Sequence, residues 1–338
     1  MRRPRPDASA LHSPRPPAHR RAAVALFATL MAADALAAAG TARADEAFVT
    51  SQPAETLSIV DLPGRRVVAT LKIPGKPAGI AVAPDGRRAF VTSPDGKALT
   101  IVDAAARTVA ARVEVGGGPL GVAVHPSGSP AYVADWYRHR VIAVDAAAGR
   151  VTGEVETGES PSGLAVTPDG VLLLSADRDS DQVSLIDTAT FTRLGTLPTG
   201  KRPFGVTIDT EGRRAYVANV ASNDVTVIDL AAHAVIATVP VGERPYAVAL
   251  ARGLGFTTDQ YAGTVTVFDL ATFAKKATIP VGDYPEGIDA ARDGSAVYVA
   301  SWEANTLSVI DTATLRVVQE IAMPDGPRAF GAFIRRTD

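Results

Sequence analysis

Residues 203–244 read PFGVTIDTEGRRAYVANVASNDVTVIDLAAHAVIATVPVGER. Four short runs rich in Val, Ile, Tyr and Thr alternate with Gly, Pro, Asp and Asn, which is the pattern of strands joined by tight turns. The four runs are GVTI, AYVA, VTVI and VIATV, at residues 205–208, 215–218, 225–228 and 235–239. No sustained apolar period of 3.6 residues is present, so the stretch predicts a four-stranded antiparallel unit without helices.

The same unit recurs along the chain at intervals of about 42 residues, and two unrelated markers keep one register. One marker is a Pro-x-Gly motif that opens each unit, with Ala247 replacing Gly once and an altered form at Pro327. The other is an Asp that ends the third apolar run. The prolines are Pro77, Pro119, Pro161, Pro203, Pro245, Pro285 and Pro327, and the aspartates are Asp61, Asp103, Asp145, Asp187, Asp229, Asp269 and Asp311.

Tandem four-stranded units of about 40 residues are typical of β-propeller blades. Residues 45–76 contain only second, third and fourth strands, and residues 327–338 contain only a first strand, so together they predict one composite blade. The sequence therefore predicts an all-β, seven-bladed β-propeller with four antiparallel strands per blade, closed by three N-terminal strands and one C-terminal strand. The predicted blades are 45–76 with 327–338, then 77–118, 119–160, 161–202, 203–244, 245–284 and 285–326.

The first 44 residues predict a cleaved signal peptide. An arginine-rich start precedes an apolar stretch at residues 22–33, which is too short to span a bilayer, and Ala42-Arg43-Ala44 offers a cleavage site. We therefore expect a periplasmic or secreted protein that begins at Asp45 and has no transmembrane segment after cleavage. The Arg20-Arg21 pair leaves open whether export follows the Sec or the Tat route.

Composition excludes several kinds of site. The chain of 338 residues has no cysteine, so disulfides, thiolate zinc sites and iron–sulfur clusters are excluded. The predicted leader holds seven Arg and two Asp, which leaves residues 45–338 with a net charge of about −7. This acidity counts against a nucleic-acid partner. We predict no cofactor, no metal and a monomer.

The strands AYVAD (131–135), AYVAN (215–219) and VYVAS (297–301), with VTVID and LSVID after them, resemble the YVTN-type seven-bladed propellers. That family includes periplasmic YncE-like proteins and surface-layer proteins. The resemblance covers residues 45–338 and implies the fold, whereas the functions that such folds host range from binding proteins to lyases, lactonases and dehydrogenase subunits. The YncE-like proteins also imply single-stranded DNA binding as a third possibility.

The repeat itself separates structural residues from candidate site residues. A residue present in every blade serves the blade, so the seven aspartates should cap turns, and the Pro-x-Gly glycines should allow inner strands to approach closely. A binding site on the ring axis must break the symmetry. The symmetry breaks in the loop between the second and third strands and at the middle residue of Pro-x-Gly, which lie around the same mouth of the channel.

Aromatic, arginine and carboxylate side chains around such a mouth suit an organic ligand or a protein loop. The two tryptophans occupy the same loop position in blades 3 and 7, and packing between neighbouring blades is the alternative explanation for them. The candidate binding residues are Trp136, Tyr137, Arg138, His139, Arg178, Phe204, Tyr246, Tyr261, Glu286, Trp302 and Glu303.

We expect an exported module that binds a small molecule or a protein, or acts as a scaffold, through its channel-mouth loops. The alternative is an enzyme, either a metal-assisted lyase or lactonase or an accessory subunit of a quinone-cofactor oxidoreductase. Catalytic signals are sparse, because only His139 of the three histidines after residue 44 falls near the mouth. The sequence does not identify the ligand or the partner.

Overall fold

The computed structural model describes residues 45–335 of the chain. These residues form seven four-stranded antiparallel sheets, and their only helical element is the short 3-10 turn Arg178–Ser180. The predicted fold class, an all-β seven-bladed propeller, is confirmed. The predicted signal peptide lies outside the described residues, as do the last three residues of the predicted closing segment.

The strands are numbered in chain order, and the sheets are named by the predicted blades. Blade 1 contains β1 (Glu46–Ser51), β2 (Thr56–Asp61) and β3 (Arg66–Lys72), and blade 2 contains β4 (Ile80–Val82), β5 (Arg88–Ser93), β6 (Ala98–Asp103) and β7 (Thr108–Glu114). Blade 3 contains β8 (Pro119–Val124), β9 (Ala131–Asp135), β10 (Arg140–Asp145) and β11 (Arg150–Glu156), and blade 4 contains β12 (Pro161–Val166), β13 (Leu172–Asp177), β14 (Gln182–Asp187) and β15 (Thr192–Pro198). Blade 5 contains β16 (Pro203–Ile208), β17 (Arg214–Asn219), β18 (Asp224–Asp229) and β19 (Ala234–Pro240), and blade 6 contains β20 (Pro245–Ala251), β21 (Leu254–Asp259), β22 (Thr264–Asp269) and β23 (Lys275–Pro280). Blade 7 contains β24 (Pro285–Ala290), β25 (Ala296–Ser301), β26 (Thr306–Asp311) and β27 (Arg316–Ala322), and β28 (Ile334–Arg335) completes blade 1.

Within each blade the strands pair in chain order, and the first strands of successive blades contact one another around the axis. The two middle strands are buried along almost their whole length, as in β17 and β18, whereas the fourth strand β19 is mostly exposed. Neighbouring blades cover both faces of the middle strands, so almost every residue in these strands is apolar or small. The core consequently lies between the blades.

The ring closes where β28 pairs with β1, with Glu46 opposite Arg335 and Ala47 opposite Ile334. Among residues 327–335 of the closing segment, two pair as a regular strand, although the sequence predicts a full first strand. Positive φ angles of 47° at Ala329 and 126° at Gly331 turn the backbone there, and isolated bridges replace the ladder.

The end of the ring that carries the turns between third and fourth strands is called the far face. Each third strand ends there in an Asp that accepts hydrogen bonds from turn N–H groups, as Asp229 does from Ala232 N at 2.8 Å. These bonds lower the pKa of Asp145, Asp187 and Asp269, and the Thr314 hydroxyl together with the turn N–H groups lowers the pKa of Asp311. The predicted capping is confirmed in all seven blades, because Asp61, Asp103, Asp145, Asp187, Asp269 and Asp311 accept the equivalent bonds.

The Pro-x-Gly glycines lie where inner strands come closest. A Cβ placed on Gly121 would lie 1.9 Å from the carbonyl oxygen of Ser162 in the next inner strand. The corresponding distance from Gly163 to the Phe204 carbonyl oxygen is 2.4 Å. No side chain fits at such distances, so the backbone packing around the axis requires glycine there.

Candidate functional site

The opposite end of the ring carries the loops between second and third strands and the connections from each fourth strand to the next blade, and it is called the loop face. Side chains from several blades meet on the axis just inside this face. Phe204 lies with its ring centroid 4.2 Å from that of Tyr246 and 4.9 Å from that of Phe330. Ala78, Leu120 and Val220 complete this buried axial cluster, which fills the axis at this level.

A polar group flanks the axial cluster. The Arg328 Nε atom lies 2.9 Å from Glu286 Oε2, at ion-pair distance but not aligned for a hydrogen bond. Arg328 also donates to Tyr246 Oη and, at 3.1 Å, to Gln52 Oε1. Gln260 Nε2 donates to Glu286 Oε1 at 2.6 Å. The side chains of blades 1, 6 and 7 are thereby cross-linked across the axis.

Burial sets the electrostatics of this axial ion pair. It raises the pKa of Glu286, and the positive charge of Arg328 and the bond from Gln260 oppose that shift. Burial also raises the pKa of Tyr246, whose hydroxyl therefore stays protonated. The Glu286 side chain is almost fully buried, whereas 18% of the Arg328 side chain remains exposed.

Two predicted site residues cover the axial cluster from the loop face. Trp136 packs against the cluster, with its ring centroid 6.2 Å from that of Phe204. The Arg178 guanidinium carbon lies 5.4 Å from the centroid of Trp136, a distance that allows a cation–π contact. Arg178 Nη1 also donates to Asp179 Oδ1 at 2.7 Å. The structure thus brings together Trp136, Arg178, Phe204, Tyr246 and Glu286.

Tyr137 and Arg138 lie outside this cluster, on the surface of blade 3. Tyr137 is 73% exposed, and its ring rests on Gly118, where an added Cβ would lie 2.5 Å from Cδ2. The Arg138 guanidinium lies over Gly116 and is likewise exposed. Gly116 and Gly118 therefore provide a flat surface against which the exposed Tyr137 ring and the exposed Arg138 guanidinium pack. These residues are called the blade 3 platform.

Tyr261 occupies the same loop position in blade 6 as Tyr137 does in blade 3. It is 49% exposed, and its ring centroid lies 5.5 Å from that of Tyr284. The Arg244 guanidinium lies 4.2 Å from the Tyr261 centroid, and Arg244 Nη1 donates to Tyr261 Oη at 3.0 Å. Tyr261, Tyr284 and Arg244 form a second surface group, called the blade 6 platform.

His139 is exposed, and its backbone has a φ of 53°. Its Nδ1 accepts a hydrogen bond from Ser160 N at 3.1 Å, so the side chain holds the loop to the next connection. Three other blades make the same bond with a different side chain, namely Arg202 N to Asp181, Arg244 N to Asn223 and Gly326 N to Asn305. The repeat therefore explains the placement of His139 without a ligand.

Trp302 and Glu303 lie in the loop of blade 7 and do not approach the axial cluster. The Trp302 ring is half buried beside Gly326, where an added Cβ would lie 2.9 Å from Nε1 and 2.2 Å from Pro53 Cδ. Trp302 thus sits at the junction of blades 7 and 1, as the packing alternative expects. Glu303 is exposed, and its N–H donates to Asp283 O.

The sequence analysis missed Arg328, Phe330, Gln52 and Gln260. Arg328 occupies the middle position of the altered motif at Pro327, which is the position that singled out Phe204, Tyr246 and Glu286. Applying the same rule to the altered motif identifies Arg328. No local signal identifies Phe330, because it reaches the axis only through the turn at Ala329 and Gly331.

The loop face also carries an open groove of about 460 Å³, lined by Asp179, Asp181, Lys201, Arg202 and Ala221. Its Lys201 pairs with Asp181 at 2.7 Å. Within residues 45–335, no three His, Asp or Glu side chains converge in a way that could hold a metal ion. The same part of the chain contains no helix long and apolar enough to cross a membrane.

Residues 18–127 match the family model described as YNCE-like beta-propeller. Kuenenia stuttgartiensis hydrazine synthase has a TM-score of 0.68 and 21% identity, over 77% of this chain and 90% of that chain. A functionally unknown protein from Desulfotomaculum acetoxidans DSM 771 has a TM-score of 0.76 and 16% identity, over 87% and 99%. Dihydro-heme d1 dehydrogenase NirN in complex with DHE has a TM-score of 0.64 and 16% identity, over 83% of this chain and 64% of that chain.

These structural similarities lie below 25% identity and show the shared fold alone. No curated protein matches the sequence at a significant level. The matched residues make up about a third of the chain, and the seven-bladed architecture agrees with the YNCE-like beta-propeller that the family model describes.

Proposed function

We propose that this protein is an exported binding module that docks a partner protein on the loop face of its ring. The observation that carries the proposal is the pair of exposed platforms around Tyr137 and Tyr261, in equivalent loops of blades 3 and 6, on either side of a filled axis. Tyr, Trp and Arg are the residue types most enriched among the residues that dominate protein–protein binding energy.

Both platforms hold their aromatic rings in place before any partner arrives. Gly116 and Gly118 support Tyr137 and Arg138, and Arg244 and Tyr284 support Tyr261. A ring that is already fixed loses little conformational entropy on binding, so its buried area translates more fully into affinity. Seven short loops on a rigid ring provide such a scaffold.

The filled axis favours a protein partner over a small molecule. Small-molecule sites are usually concave, largely apolar pockets. Here the aromatic rings of Phe204, Tyr246 and Phe330 occupy the axis, and the open groove at Lys201 and Arg202 is lined mostly by charged groups. The hydrazine synthase and NirN neighbours are enzymes by name, but at 21% and 16% identity they supply no activity for this chain.

The docking proposal is tested by comparing proteins retained from the exported fraction by the wild type and by two loop variants, Tyr137→Ala and Tyr261→Ala. Removing an anchor should weaken binding by about 1–2 kcal/mol, which is roughly 5- to 30-fold. Val109→Ala and Val318→Ala serve as matched controls, because these exposed apolar residues lie on outer strands. A partner retained equally by all five proteins would contradict the proposal.

Export is tested separately by the intact mass of the protein recovered from the extracytoplasmic fraction. The mass should correspond to a chain beginning at Asp45, because a signal peptidase that cleaves after Ala44 leaves that residue first. A species that retains Met1 and occurs only in the cytoplasm would contradict the exported part of the proposal.

A further inference from the structure

A buried carboxylate joins the strands of blade 6 to the connection that enters the blade. Asp259, the last residue of β21, accepts a hydrogen bond from Gly242 N at 2.9 Å. Thr264 and Thr266 of the next strand donate their hydroxyls to its other oxygen at 2.9 and 2.7 Å. The carboxylate therefore satisfies three donors at one point inside the blade.

Blade 7 contains the same frame without the carboxylate. Ser301 stands at the position of Asp259, Thr306 and Ser308 stand at those of Thr264 and Thr266, and Gly282 stands at that of Gly242. The hydroxyls of Ser301, Thr306 and Ser308 are buried and have no hydrogen-bond partner among the described residues. Gly282 N likewise makes no hydrogen bond within residues 45–335.

These polar groups face one another. Ser301 lies directly opposite Thr306 in the strand register, so both side chains project from the same side of the sheet. A Cβ placed on Gly282 would lie 2.6 Å from Ala304 Cβ, 3.0 Å from Ser301 Cβ and 3.0 Å from Thr306 Oγ1. Ser308 follows two residues after Thr306 and projects from the same side of β26.

Buried polar groups in folded proteins almost always have a partner, from the protein or from ordered water. A serine side chain has two fewer heavy atoms than an aspartate, and its hydroxyl does not reach as far as the second carboxylate oxygen. We propose that blade 7 binds one buried water molecule between Ser301, Thr306, Ser308 and Gly282 N, in the place of the Asp259 carboxylate of blade 6.

Water suits these four groups better than an ion does. Its oxygen accepts from Gly282 N–H and from one hydroxyl, and its two hydrogens are donated to the oxygens of the other two hydroxyls. A cation would face the N–H donor, and an anion would bring an unpaired charge into the blade. The bound water ties the loop between Ser301 and Thr306 to the connection at Gly282.

Two other blades show why the site belongs to blade 7. Ser51 and Ser93 take the serine position in blades 1 and 2, and their hydroxyls also lack a partner among the described residues, as do those of Thr56 and Ser58 in blade 1 and of Thr100 in blade 2. Pro324 and Pro74, however, stand where Gly282 stands, and proline has no N–H to satisfy. Only blade 7 combines the serine with the unsatisfied N–H.

High-resolution crystal structures of the wild type, Ser301→Asp and Asp259→Ser test the site. We expect water density within hydrogen-bond distance of the four groups in the wild type, loss of that density in Ser301→Asp, and a new water beside Thr264 and Thr266 in Asp259→Ser. Wild-type density empty at this point, with other buried waters resolved, would overturn the proposal.

Thr306→Val keeps the test decisive if the aspartate variant does not fold. Valine has the shape of threonine without its hydroxyl, so the water loses one of four partners and its density should weaken or disappear. Unchanged density in Thr306→Val would show that Thr306 does not hold the water. This test is independent of the proposed docking function.

Discussion

At the far face, every third strand ends in an Asp that caps the next turn, whereas at the loop face the first loop residue differs from blade to blade. It is Gln52, Pro94, Trp136, Arg178, Val220, Gln260 and Trp302 in turn. The loop backbone nevertheless repeats, because its last residue has a φ between 49° and 63° in all seven blades. The backbone conformation therefore repeats from blade to blade at both faces, but the side chain repeats only at the far face. The loop face can change its chemistry without changing its geometry.

The closing segment contributes to both faces, and its removal should have the largest effect. Deleting Pro327–Asp338 removes Phe330, Phe333 and Ile334, which are buried. At about 2.5 kcal/mol for each side chain, the loss is on the order of 7 kcal/mol, comparable to the stability of a whole domain. We expect little folded protein by circular dichroism at 37 °C. A truncated chain that melts within a few degrees of the wild type would contradict the closure.

The axial ion pair should produce the next largest effect. Arg328→Met leaves the Glu286 carboxylate buried without its cation, and removing one partner of a buried pair is strongly destabilising. Because part of Arg328 is exposed, we expect a loss of about 2–3 kcal/mol in the free energy of unfolding.

The double variant Arg328→Met, Glu286→Gln is the matched control for the ion pair. It removes both charges and should recover part of the stability lost by Arg328→Met. Urea unfolding of the three proteins measures the difference. Equal losses in the single and the double variant would show that packing of Arg328, and not charge pairing, holds the axis.

The far-face caps should contribute less individually. Asp229→Ala removes the bond from Ala232 N and should lower the free energy of unfolding by about 1 kcal/mol while leaving partner binding unchanged. Arg138→Ala should weaken partner binding and leave the free energy of unfolding nearly unchanged, because an exposed loop side chain contributes little to folding. Melting temperature and affinity measured on both variants test this. A loss of stability in Arg138→Ala alone would reverse the roles assigned to the two faces.

Asp259 at the loop face and Asp187 at the far face should respond to pH in opposite directions. Burial raises the pKa of Asp259, so its contribution to stability is full below its unfolded pKa and is lost as pH rises through the folded pKa. Turn bonds lower the pKa of Asp187, so its contribution is present above the unfolded pKa and is lost as pH falls through the folded value.

Two asparagine variants isolate these opposite slopes. Asp259→Asn should remove the part of the stability that increases as the pH falls. Asp187→Asn should remove the part that decreases as the pH falls. Asn219 already stands at the Asp259 position in blade 5, where its Nδ2 donates to Thr226 at 2.8 Å, so we expect Asp259→Asn to fold with a change under about 1 kcal/mol at neutral pH. Melting temperatures from about pH 4 to about pH 7 measure both slopes. If the difference in melting temperature between wild type and variant changed with pH in the same direction for both variants, the two pKa directions would be contradicted.

Substitution of His139 should have the smallest effect on stability. It tests whether the imidazole holds the loop or contacts a partner. His139→Asn preserves the acceptor for Ser160 N, as Asn223 and Asn305 do in their blades, so its melting temperature should match the wild type. His139→Ala removes the acceptor and should lower stability by about 0.5–1 kcal/mol. Partner affinity that falls in His139→Asn would assign the imidazole to the binding surface, whereas unchanged affinity would confine it to the loop.

The fold was predictable because the sequence repeats. The Pro-x-Gly motif and the Asp that ends each third strand keep the same spacing, which gives the number of blades and the position of the composite blade. The same reasoning distinguished the capping aspartates from Phe204, Tyr246 and Glu286, which do meet on the axis. Arg328 was not among the candidates, although it is the middle residue of the altered motif at Pro327 and follows from the same rule. Contacts across the axis depend on side-chain length and on the turn at Gly331, and neither follows a local pattern.

Residue type alone was a weaker guide on the loop face. Trp136 and Trp302 share a loop position, yet Trp136 contacts the axial cluster and Trp302 packs beside Pro53. The neighbouring blades differ, and each loop side chain turns towards the space that those blades leave. His139 looked chemically special in the sequence because the asparagine and aspartate side chains that make the same bond elsewhere are chemically different.

The pairing of β28 with β1 has a kinetic consequence. The hydrogen bond from Arg335 to Glu46 joins residues 289 positions apart, whereas the strands within blades 2 to 7 pair inside units of about 42 residues. Loop-closure entropy makes that joint on the order of 2 kcal/mol harder to form than a contact within one blade. Most of the ring can therefore fold from local contacts soon after synthesis, while the inner edge of β1 stays unpaired until the end of the chain is available. A chain interrupted before β28 presents that edge to other molecules, so the completeness of the last residues decides whether the product is a closed ring or an aggregation-prone one.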